Sequence, residues 1–167
     1  MTSSISNPRV ARIHTRTRAS YEAILAFVNG PLAALDPALL YKVPETGEWT
    51  VMQNLAHIVE FMPYWGEEIT KLLAEPGKNF GRTQQQPRRL QEIENHKLDK
   101  LEQIQAALPI SYAQLENVLI SLNDHDLDLT GVHTKFGEQS LDWFIEEFVT
   151  THLESHQTQL QAALAAL

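Results

Sequence analysis

Between Thr50 and Ala74 the apolar residues Leu55, Ile58, Met62, Trp65, Ile69 and Leu72 follow one another at alternating steps of three and four. That spacing lines one face of an α-helix and cannot line one face of a strand, whose side chains alternate every second residue. Thr50-Val51-Met52-Gln53 has the Thr-x-x-Gln form of a capping box, and Pro63 is the one residue expected to bend the helix. Three further stretches carry the same pattern. Asn7 and Pro8 form a cap and first-turn pair for a first helix with Val10, Ile13, Thr17, Tyr21, Ile24, Leu25 and Val28 on its stripe, ending near Gly30 and extended by Leu32 to Leu35. A third long helix is expected from a box beginning at Asp99, with Leu101, Ile104, Leu108, Tyr112, Leu115, Val118, Leu119 and Leu122 on its face and a kink at Pro109. Ser140 can cap the last, with Leu141, Ile145, Phe148, Val149, Leu160 and Leu164 defining a buried face up to Ala165. Four such helices with polar opposite faces predict an all-α fold, a four-helix bundle, in a single domain spanning residues 1–167.

The connections are punctuated as turns require. Asp36, Pro37, Pro44 and Gly47 break the chain before Trp49. The long connection between helices two and three runs polar from Glu75 to Pro87, with Pro76, Gly77 and Gly81, and holds a short helix from Arg88 to Asn95. Ahead of Ser140, NDHDLDLTGVHTKFGEQ interrupts the helical pattern, and Val132 to Phe136 reads as a brief extended piece. There is no internal repeat.

Charge and composition exclude several functions. Thirteen Lys+Arg against twenty-one Asp+Glu give a net charge of −8, which repels phosphate backbones and anionic lipid, so no nucleic acid and no membrane surface is expected as a partner. Arg82, Arg88 and Arg89 are the only tight basic group after the N-terminus, and in a loop they read as solvated surface. The opening MTSSISNPRVARIHTRTRAS lacks the apolar core of a secretory signal, and no window approaches the roughly 18 apolar residues of a membrane span, so a cytoplasmic protein is expected. With no cysteine in the chain, any metal must be held by nitrogen and oxygen, and any thiol chemistry must use a thiol from outside.

The polar residues that break an apolar face carry the functional signal. Counting from Leu141 by threes and fours leads through Ile145 and Phe148 or Val149 to His152 and His156, so two imidazoles four residues apart point toward the core. A core imidazole must satisfy a donor and an acceptor nitrogen, and two on adjacent turns can grip one ion. Spacing alone is weak testimony, since chance gives about 0.3 such pairs in a chain with seven histidines. The candidate third ligand is His57, at the border of the second helix's stripe.

Taken together, Trp49-Thr50, a helix with His57 seven residues on, then Gly137, Ser140-Leu141 and a last helix with His152 and His156 resemble the DinB-like (DinB/YfiT) superfamily of metal-dependent enzymes. The resemblance spans essentially the whole chain. It implies a four-helix bundle, often a homodimer, and a divalent metal ion, nickel or zinc, held by three histidines, which by position are His57, His152 and His156. It also implies small-molecule substrates, because characterised members include S-transferases and an isomerase that use low-molecular-weight thiols. Three neutral imidazoles leave a coordination position open, as a catalytic ion requires. The leading reaction is attack by an activated external thiol on an electrophile, with hydrolysis as the variant.

Around the ligands, Glu60 and Asn54 lie one turn to either side of His57 and are candidates for a base or a group orienting a ligand. His133, in the loop entering the last helix, is a candidate pocket residue. Tyr64 and Trp65 read as core or dimer packing, and exposed parts of Trp65, Tyr64, Tyr112 and Trp143 predict a homodimer. The reading from a different class is a non-catalytic dimeric interaction or stress-response protein whose metal site is structural or vestigial.

Overall fold

A computed structural model describes residues 7–167; the first six, which head the stretch read for a secretory signal, lie outside the described residues. Helix α1 spans Pro8–Phe27 and passes into one π-helical turn, Val28–Leu32, that contains Pro31. The missing N–H of Pro31 breaks the regular hydrogen-bond ladder, and a widened turn accommodates it. After a short 3₁₀ turn at Pro37–Tyr41, α2 spans Val51–Ala74. Its capping box is formed as the sequence predicts: Gln53 N–H donates to Thr50 Oγ1 at 3.1 Å, and Thr50 N–H to Gln53 Oε1 at 2.9 Å. All six residues of its stripe are buried.

The short α3 is Pro87–His96, and α4 runs Leu101–Ser121 through Pro109. Here the predicted start needs correction. Gln103 Oε1 accepts from Lys100 N–H at 2.7 Å, which puts the helix cap one residue later than Asp99. The Asp99 carboxylate instead accepts from His96 Nδ1 at 2.7 Å.

Two strands that the apolar pattern only half reveals follow. β1, Thr130–His133, pairs antiparallel with β2, Gly137–Ser140, in register Thr130 to Ser140 and His133 to Gly137. The strand begins two residues before the expected extended piece, and β2 went unread because Gly-Glu-Gln-Ser has no apolar alternation. The other edge of β1 takes up the chain leaving α2: Gly77 N–H donates to Thr130 O at 2.7 Å and Phe80 N–H to Val132 O at 2.9 Å. Gly131 permits this approach, because a Cβ there would lie 2.8 Å from Leu72 Cδ1 and 3.2 Å from Phe80 Cβ.

Ser140 caps α5, Leu141–Ile145, by accepting from Trp143 N–H at 3.2 Å. A π turn, Glu146–Thr150, joins α5 to α6, Thr151–Ala165. The buried residues Leu141, Ile145, Val149 and Leu153 are spaced by fours. In a regular helix each step of four drifts about 40° around the axis, so the stripe would leave the core; the extra residue of the π turn takes up the drift. Arg16 of α1 grips both sides of that turn through Glu146 and Glu154.

The four long elements form a bundle with an uncommon order. α1 packs on α4 and α6, and α2 packs on the same two, so α1 and α2, consecutive in the chain, stand at opposite corners. The arrangement makes α2 and α6 neighbours, which the candidate site requires. Trp65 and Tyr112 are buried in this core, so the aromatic surface from which a homodimer was expected is reduced to parts of Tyr64 and Trp143. Among the described residues no helix is long and apolar enough to cross a membrane.

Candidate metal centre

The site is assembled from the first two turns of α2 and the start of α6. The amide of Asn54, which sequence offered as a group facing the metal, donates to the carbonyls of Trp49 and Thr50 at 3.4 and 3.1 Å and so holds the entrance of the helix. One turn on, His57 is only 3% exposed. It lies edge-on to Trp49, with ring centroids 5.4 Å apart, and Phe61 packs against His57, His152 and His156 together.

The three histidines meet through their Nε2 atoms. His152 Nε2 lies 3.1 Å from His57 Nε2 and 3.2 Å from His156 Nε2, and all three prospective ligand atoms fall within 4.8 Å of one another. Protons alone satisfy this cluster poorly. Each Nε2 carries either one proton or one lone pair, so His152 can donate to one neighbour or accept from one, and the second contact stays unsatisfied. A cation between them takes all three lone pairs. A tetrahedral ion about 2.1 Å from each nitrogen would hold them about 3.4 Å apart, close to the observed separations. The donor set therefore fits a divalent metal.

Electrostatics keep the imidazoles in the ligating form. Burial, reinforced by the neighbouring His57, pushes His152 down to about 3; burial and the neighbouring His152 push His156 down to about 2. His57 is also lowered, mainly by burial, with Glu60 opposing. All three are neutral at pH 7. His57 Nδ1 and His156 Nδ1 are buried without a hydrogen-bond partner, and Glu60 Oε2 stands 3.7 Å from His57 Nδ1, too far for a hydrogen bond but placed to act on that ring through its charge.

Glu60 is in turn gripped by Arg82, whose Nη2 donates to Oε2 at 2.6 Å while Nη1 lies 2.6 Å from Oε1. Burial alone would raise the Glu60 carboxyl, but His57 and the Arg82 guanidinium outweigh it and hold the group below the usual carboxylate range. Arg82 overlies the Tyr64 ring at 3.7 Å and its side chain is 6% exposed, so it is an interior residue of the site and not the solvated surface expected from sequence. Arg89 departs from that expectation too: it is half-buried, with its guanidinium 5.3 Å from the Trp49 ring. Only Arg88 of the three is exposed.

His133 is 2% exposed, with Nε2 donating to Arg82 O at 3.2 Å and Nδ1 accepting from Lys135 N–H at 3.1 Å. Both nitrogens are spent on backbone, so the ring braces the segment that delivers Arg82. Gly81, just before it, has φ +79° and donates its N–H to Glu68 Oε2 at 2.7 Å, fixing the same segment from the other side. The sequence reading missed Arg82, Arg89 and Phe61 as parts of the site. A signal for the first existed in Gly81-Arg82, a turn glycine followed by a cation in an otherwise polar loop, but nothing in the spacing ties it to Glu60.

These features define a class: a helical bundle with three neutral imidazoles converging on one point between two of its helices. The sequence model of the DinB superfamily matches residues 15–160, and the chain belongs to that superfamily. Among solved structures it is similar to "YfiT from Bacillus subtilis", described as "a probable metal-dependent hydrolase with an unusual four-helix bundle topology", at 16% identity and TM-score 0.73, covering 100% of this chain and 94% of that one. It is also similar to a mycothiol-dependent maleylpyruvate isomerase, at 11% identity and TM-score 0.65 over 95% of this chain, and spans 60% of the length of that protein. An uncharacterised protein from Clostridium difficile 630 matches at 13% identity and TM-score 0.63, over 94% of this chain and 95% of that one. At these identities the likeness is one of fold. No match was found among curated protein sequences.

Proposed function

We propose that this protein is a divalent-metal-dependent enzyme acting on a small molecule, a thiol-dependent S-transferase or a hydrolase, with His57, His152 and His156 as the metal ligands. The convergence of three Nε2 atoms carries this reading. The descriptions of two similar structures, one a "probable metal-dependent hydrolase" and the other a mycothiol-dependent isomerase, support metal-dependent hydrolysis and thiol-dependent chemistry in general. A nitrogen-only donor set suits nickel or zinc. When bound, the ion supplies Lewis acidity, lowering the pKa of a coordinated water or thiol or polarising a carbonyl.

The chain's own residues supply the rest. Glu60 stands on the Nδ1 side of His57, so its charge favours the tautomer that carries its proton on Nδ1 and leaves Nε2 free to ligate. Arg82 keeps Glu60 ionised, and His133 keeps Arg82 in place through its carbonyl. Trp49 and Phe61 shield the His57 ring from water. The thiol comes from outside, since the chain has none. We place the enzyme in the cytoplasm as a homodimer, the first because a reducing compartment suits a cysteine-free chain and the second on the family resemblance.

Elemental analysis of untagged protein tests the metal, followed by a screen of low-molecular-weight thiols against electrophiles and of simple esters and amides. About one nickel or zinc per chain and turnover lost with the metal are the expected results. Stoichiometric metal with no turnover in either screen would instead favour the non-catalytic, structural reading.

A further inference from the structure

We propose that Arg89, standing over Trp49 beside the three-histidine cluster, is a substrate-binding residue that pairs with a carboxylate on the molecule the enzyme acts on. This names the substrate class of the site above and rests on that metal-dependent reading.

The observation is a cation left over. The chain carries a net charge of −8, yet two guanidiniums gather beside the histidines. Arg82 has its carboxylate partner in Glu60. Arg89 has no carboxylate partner among the described residues; its one hydrogen bond is from Nη1 to Gln84 O at 3.0 Å. A half-buried guanidinium normally pairs with an acid, because burial without a partner costs solvation. Burial and the neighbouring Arg82 lower its pKa, with the charge of Glu60 opposing in part. The other partner of Arg89 is the face of Trp49, and in a protein with eight surplus negative charges a half-buried arginine without a carboxylate stands out.

Position says which anion. Trp49 neighbours both Arg89 and His57, 5.3 Å from the guanidinium and 5.4 Å from the imidazole, so the cation and the ligand cluster share one indole as a neighbour. Arg89 sits in the first turn of α3, whose cap Gln86 accepts from its backbone N–H at 2.8 Å, and this anchors the backbone while leaving most of the side-chain fork free. The Trp49 indole offers an apolar wall beside the charge, and Phe61 offers one beside the histidines. One uncommitted guanidinium matches one carboxylate in charge and in its two-pronged geometry, whereas a dianionic phosphate would leave a charge unmatched. The substrate or its thiol partner is thus a small molecule with its reactive group at one end and a carboxylate at the other.

Cobalt-loaded protein, whose visible spectrum responds to a thiol at the ion, provides the test. It is titrated with mercaptocarboxylates of two, three and four carbons and with the matching uncharged mercaptoalcohols. At one chain length or more the carboxylate should bind about tenfold tighter than its alcohol, the size expected of a charge-assisted pair. Arg89→Gln should abolish that preference, Arg89→Lys should restore part of it, and cobalt content and alcohol affinity should be unchanged in both. A preference that survives Arg89→Gln, or none in the wild type, overturns the assignment while leaving the metal reading intact. Wild-type protein that holds no cobalt overturns the metal reading itself, and this assignment with it.

Discussion

At the scale of single residues, His156 and His96 are separated by function although both are histidines on helices. His156→Ala removes one of three converging nitrogens and should bring metal content per chain close to zero, while His96→Ala, whose ring meets only Asp99 and Glu92 at the surface, should leave it unchanged; elemental analysis of the two variants decides. Glu60→Gln keeps the shape and removes the charge beside His57 Nδ1, and should weaken metal affinity by about 10- to 100-fold in a competition titration. Acid acts on the metal-free protein through the same rings. His152 and His156 titrate near 3 and 2 when folded but near the ordinary 6.5 when unfolded, so between about pH 6.5 and 3 the unfolded chain binds more protons. Stability is whole above pH 6.5 and falls as pH drops through that window. The urea midpoint should therefore be lower at pH 5 than at pH 7.5, with a smaller difference in a His152→Gln, His156→Gln double variant. The three histidines were legible in the sequence because polar residues on an apolar face stand out. Arg82 and Arg89 were not, because a charged residue in a loop looks the same whether it faces water or folds back onto an acid from another element.

At the scale of elements, the π turn at Glu146–Thr150 sets the orientation of α6, and with it the aim of His152 and His156. Inserting one alanine after Thr151, beyond the turn, rotates everything after it by about 100°. The helical circular-dichroism signal should persist and metal binding should be lost; an insertion protein that binds metal normally would show that the aim of α6 does not control the site. A second element-scale test concerns the strap from α2 to β1. Gly131→Ala forces a methyl to within 2.8 Å of Leu72 Cδ1 and should cost about 1–3 kcal/mol in a denaturant titration. The extent of α2, the start of α1 and the helical stretch from Leu141 to Ala165 were readable because a 3.6-residue stripe survives in any sequence that buries one face of a helix. The π turns and β2 were not, since one extra residue within steps of three and four leaves the apolar pattern looking regular, and a short polar strand is defined by backbone hydrogen bonds alone.

For the whole molecule, an ion that binds only the folded chain must raise its stability. At a free nickel concentration a hundredfold above Kd the gain is about 2.7 kcal/mol, or roughly 5–10 °C in Tm for a domain of this size, and a chelator should reverse it in a thermal scan. Light scattering at tens of micromolar should give twice the monomer mass of 18.9 kDa, on an interface of about 1,000 Å² or more. Diagonal placement of α1 and α2 follows from packing among all four helices and could not be read from any one stripe. It has a topological result. His57 and His152 are neighbours in space but 95 positions apart in the chain. An ion held by both closes a loop of that length in the folded chain alone, so what it adds to stability is its binding free energy. In a protein without cysteine this is a staple that no reductant can open. Withdrawal of the metal releases it, and the two halves of the chain are then held by packing and by surface links such as Arg16 with Glu146 and Glu154.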